Sequence, residues 1–445
     1  MKIGIFGKFP PIQGGVSART YWTAHALAGL GHEVFVVTDA REATAPYRMH
    51  MRPEDWVRCD AQYGSGSVKV HWTESYGKQE WRIPNSTSHV TKLASIGLRV
   101  AREHRLDLIY SHYLEPYSVA AHLVAQTMGL PHIVRTAGSD AGRLWLLPQY
   151  QGLYDEILAA AEAIICSPGV ASKMAAVAGP AAQVISTPGK HENLSDLFSP
   201  GGPVLDIESL EQEATAHCGT EFHQQFYGTF DPSRQYVGVY GKLGKDKGTF
   251  ALLAALKSMK SAGRRVGLLV MAHERPSAQH RFRDLVQDYG LQDAIVQIPF
   301  LPHWRVPDFI RACIAVCCLE QNFPIKFHDP VVAREVMLCG GCLIASAELI
   351  GKMPDSSRLV DRRNCMILDD ARDVQSLEAG LAWVFENPAL ARHIGGEARR
   401  YAVDVTPAHG FARELAGVVA GIVARRRGLS VEAAAPSVSH ARYAH

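Results

Sequence analysis

The sequence predicts an α/β protein of two doubly wound domains facing each other across a central cleft. Three observations carry this reading. At 445 residues the chain is too long for one ordinary core, and two domains of roughly 200 residues each follow. Short apolar runs alternate with helix-length segments twice over, the pattern of mostly parallel sheets covered on both faces. Between the two series, from Ser199 to Arg234, the pattern lapses into Gly, Pro, acidic and polar residues.

In the first series the strands read as Lys2 to Gly7, Glu33 to Thr38, Val68 to Trp72, Leu108 to Ser111, His132 to Arg135, Ala163 to Ser167 and Gln183 to Ser186. A helix from about Ser17 to Leu30 follows the first strand, and Gly31 marks its end. The second series reads as Tyr236 to Tyr240, Arg265 to Met271, Ile295 to Pro299, Ile314 to Leu319, Cys342 to Ala345 and Cys365 to Leu368. No sequence repeat links the two halves, so the likeness is one of pattern. The expected division is therefore residues 1–198, a linker with inserted structure at 199–234, and a second domain at 235–405. Phe411, Leu415, Val418, Val419 and Ile422 recur at helical spacing, giving an amphipathic helix within 406–428 that packs back toward the N-terminal domain. The Ala-, Ser- and His-rich residues 429–445 read as a disordered tail.

The charge balance leaves a formal net of +2, which gives no nucleic-acid footprint. Nine cysteines are scattered without a disulfide framework, and Cys166, Cys313, Cys317, Cys318 and Cys342 sit in apolar runs, which suits a reducing compartment. No basic segment followed by a long apolar one opens the chain, and no 18 consecutive apolar residues occur, so a cytoplasmic protein is expected. The run Arg425-Arg426-Arg427 at the end of the last helix suits first a solvated helix C-terminus, and second a peripheral contact with an anionic membrane surface or lipid acceptor.

Three segments carry the candidate chemistry. After the first strand, Phe9 to Val16 holds Gly14 and Gly15 just ahead of a helix, where backbone amides can approach an anion; a plain turn would need the same glycines. In the second series, Gly241-Lys242-Leu243-Gly244-Lys245-Asp246-Lys247-Gly248 follows a strand and opens the helix Thr249 to Met259. Lysines at that edge of an open sheet are placed to neutralise phosphates, or to be solvated in a loop. In the third segment, Glu320 to Cys342, Asp329 as N-cap, Pro330 at the first helical position and Gly340 past the end define a short helix that contains Glu335. A carboxylate there can accept both hydroxyls of a ribose, or can simply face solvent.

These segments, in this order, resemble the retaining glycosyltransferases of family 4, with their GT-B architecture of two Rossmann-like domains. Gly241-Lys242-Leu243 with Lys247-Gly248 is similar to the family's G-R-L-x-x-x-K-G, and Glu335-Val336-Met337-Leu338-Cys339-Gly340 to its E-A-M-A-C-G. The resemblance implies that Lys242 and Lys247 hold the diphosphate of a nucleotide-sugar donor, that Glu335 holds its ribose, and that Gly14 and Gly15 belong to the loop over the donor. Lys326 and His328 lie in the loop before Glu335, suited to further donor contacts and equally to a simple loop role. The chain departs from the pattern in three places. Lys242 stands for an arginine, Phe327 stands where a second glutamate is usual, and Ala137 stands at the histidine of T-x-H-G-x-D within Arg135 to Asp140. Glu320 or Asn322 would replace the missing glutamate only if the loop carries an insertion. His112, which ends the strand Asp107-Leu108-Ile109-Tyr110-Ser111-His112, remains with Ser139 and Asp140 as the candidate catalytic set, Asp140 being equally suited to an N-cap.

No Asp-x-Asp triplet, H-E-x-x-H or G-x-S-x-G occurs, and Cys339-Gly340-Gly341-Cys342 lacks a second pair, so neither a metal nor a cofactor beyond the donor is expected. The resemblance thus implies metal-independent sugar transfer to an acceptor hydroxyl, with retention and with the departing phosphate as base. The acceptor, whether glycan, lipid-linked or a small molecule, stays open. Two other readings share the architecture: a nucleotide-sugar epimerase, and a catalytically altered protein that binds a nucleotide sugar.

Overall fold

The computed structural model describes residues 1–75, 88–186, 191–218, 226–272, 276–324 and 329–429. Lys326, Phe327, His328 and the predicted tail from residue 430 lie outside these. The chain divides into two compact units, the first made of Met1–Thr44, Met51–Asn193 and the segment from Ala408, the second of Ala45–His50 and Leu194–Pro407.

The first unit is built on an eight-stranded sheet: β1 (Lys2–Gly7), β2 (Glu33–Thr38), β3 (Ala61–Tyr63), β4 (Gly66–Trp72), β5 (Leu108–His112), β6 (His132–Arg135), β7 (Ala163–Ile165) and β8 (Gln183–Ile185). Their order is β3-β4-β2-β1-β5-β6-β7-β8. Every pairing is parallel except that of β3 with β4. Ile3, Ile5 and Phe6 of β1 and Val34, Val36 and Val37 of β2 are fully buried, as a sheet covered on both faces requires. Helix Gly15–Gly29 carries the chain from β1 to β2. Because β1 pairs with β2 on one side and β5 on the other, the direction of winding reverses there. In an open α/β sheet the crevice beyond the C-terminal ends of such a strand pair is where ligands bind.

Helix Phe411–Arg426 belongs to this unit and buries Phe411, Leu415, Val419 and Ile422, the apolar stripe read from the sequence. Its N-terminus is capped from a distance, since Glu192 Oε1 accepts from the Ala412 amide at 3.0 Å. At its other end Arg426 reaches Glu162 at 2.7 Å and Arg427 reaches Asp107 at 2.5 Å, which engages two of the three clustered arginines within their own unit. No helix among the described residues is long and apolar enough to cross a membrane.

The second unit holds a six-stranded, wholly parallel sheet: β9 (Val237–Gly241), β10 (Leu268–Ala272), β11 (Ile295–Gln297), β12 (Ala315–Cys318), β13 (Leu343–Ser346) and β14 (Met366–Leu368), in the order β11-β10-β9-β12-β13-β14. The reversal lies between β9 and β12. Before β9 the polar stretch contributes the helix Ile207–Cys218 and a single antiparallel bridge from Tyr227 to Gln297. Cys317, Cys318 and Cys342 are packed into the core, and burial raises their thiols well above the ordinary range, so these groups are inert filling.

Candidate active site

In the second unit the chemistry gathers at the β9/β12 reversal. The loop after β9 turns through three glycines with positive φ: Gly241 at 113°, Gly244 at 154° and Gly248 at 71°. At Gly248 the loop also presses on the chain leaving β12, where an added Cβ would stand 2.4 Å from the Leu319 Cβ. Gly248→Ala is therefore expected to destabilise this unit by at least about 2 kcal/mol, the combined effect of a left-handed backbone and a clash. Chemical denaturation of the variant measures it. The Thr249 hydroxyl accepts from the Gly244 amide at 3.2 Å, which closes the loop onto the helix Thr249–Ser261.

Lys242 is exposed, while Lys247 is only partly so. The Lys247 ammonium is ion-paired with the Glu320 carboxylate and lies 4.0 Å from the centre of the Phe323 ring. Glu320 stands two residues past β12, is 6% exposed, and also faces Lys352 at 4.0 Å. Its place is set by the backbone. The Ser346 hydroxyl donates to the Glu320 carbonyl, and the Gln321 amide donates to the Asp246 carbonyl at 3.1 Å. The loop after β12 thus brings a carboxylate to the lysine loop, although the sequence pattern alone transfers no role to Glu320.

Glu335 lies in the helix Val331–Leu338, which begins one residue later than the sequence suggests: Pro330 occupies the N-cap and Asp329 precedes it. Proline lacks the N–H that a helix interior uses, and no side chain caps this end. The Glu335 carboxylate is 5% exposed and both of its oxygens are engaged. The Tyr240 hydroxyl donates to Oε2 at 2.5 Å, and His303 Nε2 stands 2.7 Å from Oε1. A solvated glutamate is thereby ruled out. Tyr240 is the fourth residue of β9 and His303 opens the short turn His303–Arg305 after β11, so both stand at the C-terminal side of the sheet. Neither was singled out in the sequence. The usable signal was position, since residues at the C-terminal ends of strands beside a reversal are the ones that meet a ligand.

In the first unit, Gly14 precedes the helix Gly15–Gly29 as N-cap with φ 107°, and neither Gly14 nor Gly15 has an atom within 4 Å of where a Cβ would sit. Both are open to a close backbone approach. His112 ends β5 and is fully buried. Its Nδ1 lies 3.1 Å from the Thr20 hydroxyl, and its Nε2 has no partner among the described residues. Burial first, then the charges of Arg135, Arg19 and Lys8, hold this imidazole well below the ordinary range, so it is neutral. The Ser139 hydroxyl is 2.8 Å from that of Tyr113, which keeps it at the rim of the same strand end.

Asp140 turns out to be neither a free catalytic carboxylate nor the expected N-cap. It is fully buried, and three backbone amides consume its oxygens: Ala137 at 2.8 Å, Ala141 at 2.7 Å and Leu114 at 3.0 Å. It pins two loops together. Burial pushes its carboxyl up to about 7 against the pull of those amides, and burial likewise pushes Glu192 up to about 8. The folded unit is therefore expected to hold protons that the unfolded chain releases near 3.8 and 4.5, so that stability is expected to fall as pH rises from about 4 through 8. Asp140→Asn is expected to flatten this slope in urea denaturation series. It also costs about 1–3 kcal/mol at pH 5, because an NH₂ replaces an oxygen facing backbone N–H groups.

Comparisons with known proteins place the chain in a family. The family described as "Glycosyl transferase 4-like domain" matches residues 14–188, and the family described as "Glycosyl transferases group 1" matches residues 222–401. No curated protein sequence matches. Among solved structures, sucrose-phosphate synthase from Thermosynechococcus elongatus superposes with a TM-score of 0.60 at 17% identity, covering 96% of this chain and 98% of that one. Anabaena HepE in complex with UDP-glucose gives 0.57 at 15% identity, covering 96% and 99%. WaaG, a glycosyltransferase involved in lipopolysaccharide biosynthesis, gives 0.57 at 13% identity, covering 95% and 100%. These likenesses establish the GT-B fold. With family matches over both halves, the chain belongs to the group 1, family-4-type glycosyltransferases.

Proposed function

We propose that the chain moves a sugar from a nucleoside-diphosphate sugar to an acceptor hydroxyl, with retention of anomeric configuration and without a metal ion. The observation that carries this reading is the clustering of Lys247 and Glu335 around a single strand end, Lys247 through the loop that follows β9 and Glu335 through Tyr240 on β9 itself. Ammonium groups and helix amides suit a diphosphate, and a buried carboxylate suits a ribose diol. Solved neighbours described as complexes with UDP and with UDP-glucose support a nucleotide-sugar donor.

In the proposed reaction the bond from the anomeric carbon to the phosphate oxygen breaks, and its electron pair leaves with the nucleoside diphosphate. Lys242 and Lys247 stabilise the charge that develops on that leaving group. The acceptor oxygen bonds to the anomeric carbon on the same face. Its proton passes to the departing phosphate, so no protein nucleophile is needed.

The test is transfer in the presence of EDTA, with the anomeric configuration of the product read by NMR. Retention at an undiminished rate supports the reading. Inversion, or loss of activity restored by Mg²⁺, contradicts it.

A further inference from the structure

The Glu335 carboxylate is held at both of its oxygens by groups distant in sequence. Ionised, it offers about four lone-pair sites over two oxygens. Tyr240 occupies one on Oε2 and His303 one on Oε1, which leaves one on each oxygen. Two acceptor sites in one plane, at the spacing of a carboxylate, match two adjacent hydroxyls.

Resting on the donor reading above, we propose that Tyr240 and His303 are positioning residues that fix the plane of Glu335, so that the second unit selects a vicinal diol and prefers ribonucleoside diphosphates to 2′-deoxy ones.

Each of the two is itself immobilised. The Tyr240 ring packs edge-on against Phe309 at 5.8 Å, and its hydroxyl also lies 3.4 Å from the Val332 carbonyl, at the start of the helix that carries Glu335. Burial first, then the charge of Glu335, holds the phenol well above its ordinary range, so it stays a donor. The His303 ring lies 5.2 Å from that of Phe198, and the side chain is only 14% exposed on its turn. Neither contact is local, for Tyr240 and His303 stand 95 and 32 residues from Glu335. A carboxylate gripped at one oxygen could swing about its last torsion; gripped at both it cannot. Fixing the acceptor geometry before the ligand arrives removes an ordering cost from binding, and makes a missing hydroxyl harder to accommodate.

The test compares the affinities of UDP and 2′-deoxy-UDP, and of ADP and 2′-deoxy-ADP, by titration calorimetry. The proteins are the wild type, Tyr240→Phe, His303→Leu and His303→Gln, with thermal melts confirming that each folds. The wild type is expected to prefer the ribonucleotide by at least about tenfold, the worth of one hydrogen bond to a charged group. Tyr240→Phe and His303→Leu should reduce that preference to within about threefold, while His303→Gln, which keeps an N–H donor, should restore most of it. A preference unchanged in Tyr240→Phe and His303→Leu, whatever their melting temperatures, overturns the proposal and makes the contacts purely structural. So does a wild type that binds both sugars equally. Should Tyr240→Phe not fold, the two His303 variants decide. A wild type that binds no nucleoside diphosphate at all instead removes the donor reading, and this inference with it.

Discussion

Lys247→Ala is expected to weaken binding of a nucleoside diphosphate by at least about tenfold and to destabilise the second unit by about 2 kcal/mol. Both effects follow from the lysine's two duties. It is ion-paired with Glu320, a carboxylate 6% exposed, and removing the ammonium takes away that direct partner, with Lys352 Nζ standing farther off at 4.0 Å. The estimate sits below the usual range for a broken buried pair because the lysine side chain is 21% exposed. The two duties can be separated. Adding Glu320→Gln to Lys247→Ala removes the buried charge and should recover most of the stability, but it supplies nothing to hold a phosphate. Denaturation curves and calorimetry on the single and double variants check this. Recovery of both stability and binding in the double variant would contradict a phosphate role for Lys247.

Glu335→Ala is expected to have the larger effect on stability, about 3 kcal/mol, and to abolish measurable nucleotide binding. The buried Tyr240 hydroxyl would exchange its carboxylate acceptor for the Val332 carbonyl at 3.4 Å, and the partly buried His303 Nε2 would lose its carboxylate partner, at about 1–3 kcal/mol each. A unit of this size converts that into a fall in melting temperature of roughly 10 °C. Nucleotide binding is lost because the remaining acceptor sites for the ribose go with the carboxylate. A variant that melts as the wild type does would show that the contacts to Tyr240 and His303 carry no weight.

The sheets were legible in the sequence because their strands are apolar runs bounded by glycine and polar turns, as in Glu33–Thr38 and Leu268–Ala272. Strand Ala61–Tyr63 was not, since three residues pairing antiparallel at an edge leave no apolar run to read. Gly14, Lys247 and Glu335 could be located because a loop at a strand end and a carboxylate in a short helix are local patterns. What each touches could not. Glu320 meets Lys247 across 73 residues and Tyr240 meets Glu335 across 95, and such meetings follow only from the strand order. Asp140 shows the opposite limit. A carboxylate in a Gly-Ser-Asp turn suggests a catalytic or capping group, whereas three amides from two loops make it a pin, and the Leu114 amide among them lies 26 residues away.

The most direct test of the donor site is thermal stabilisation of the wild type by nucleotide sugars and free nucleotides in EDTA, alongside Lys247→Ala and Glu335→Ala. The account predicts that one class of nucleotide stabilises the wild type, by about 2.7 kcal/mol at a hundredfold excess over its Kd, and that both variants lose the effect. Stabilisation that survives in both variants, or appears only when Mg²⁺ is added, would contradict it.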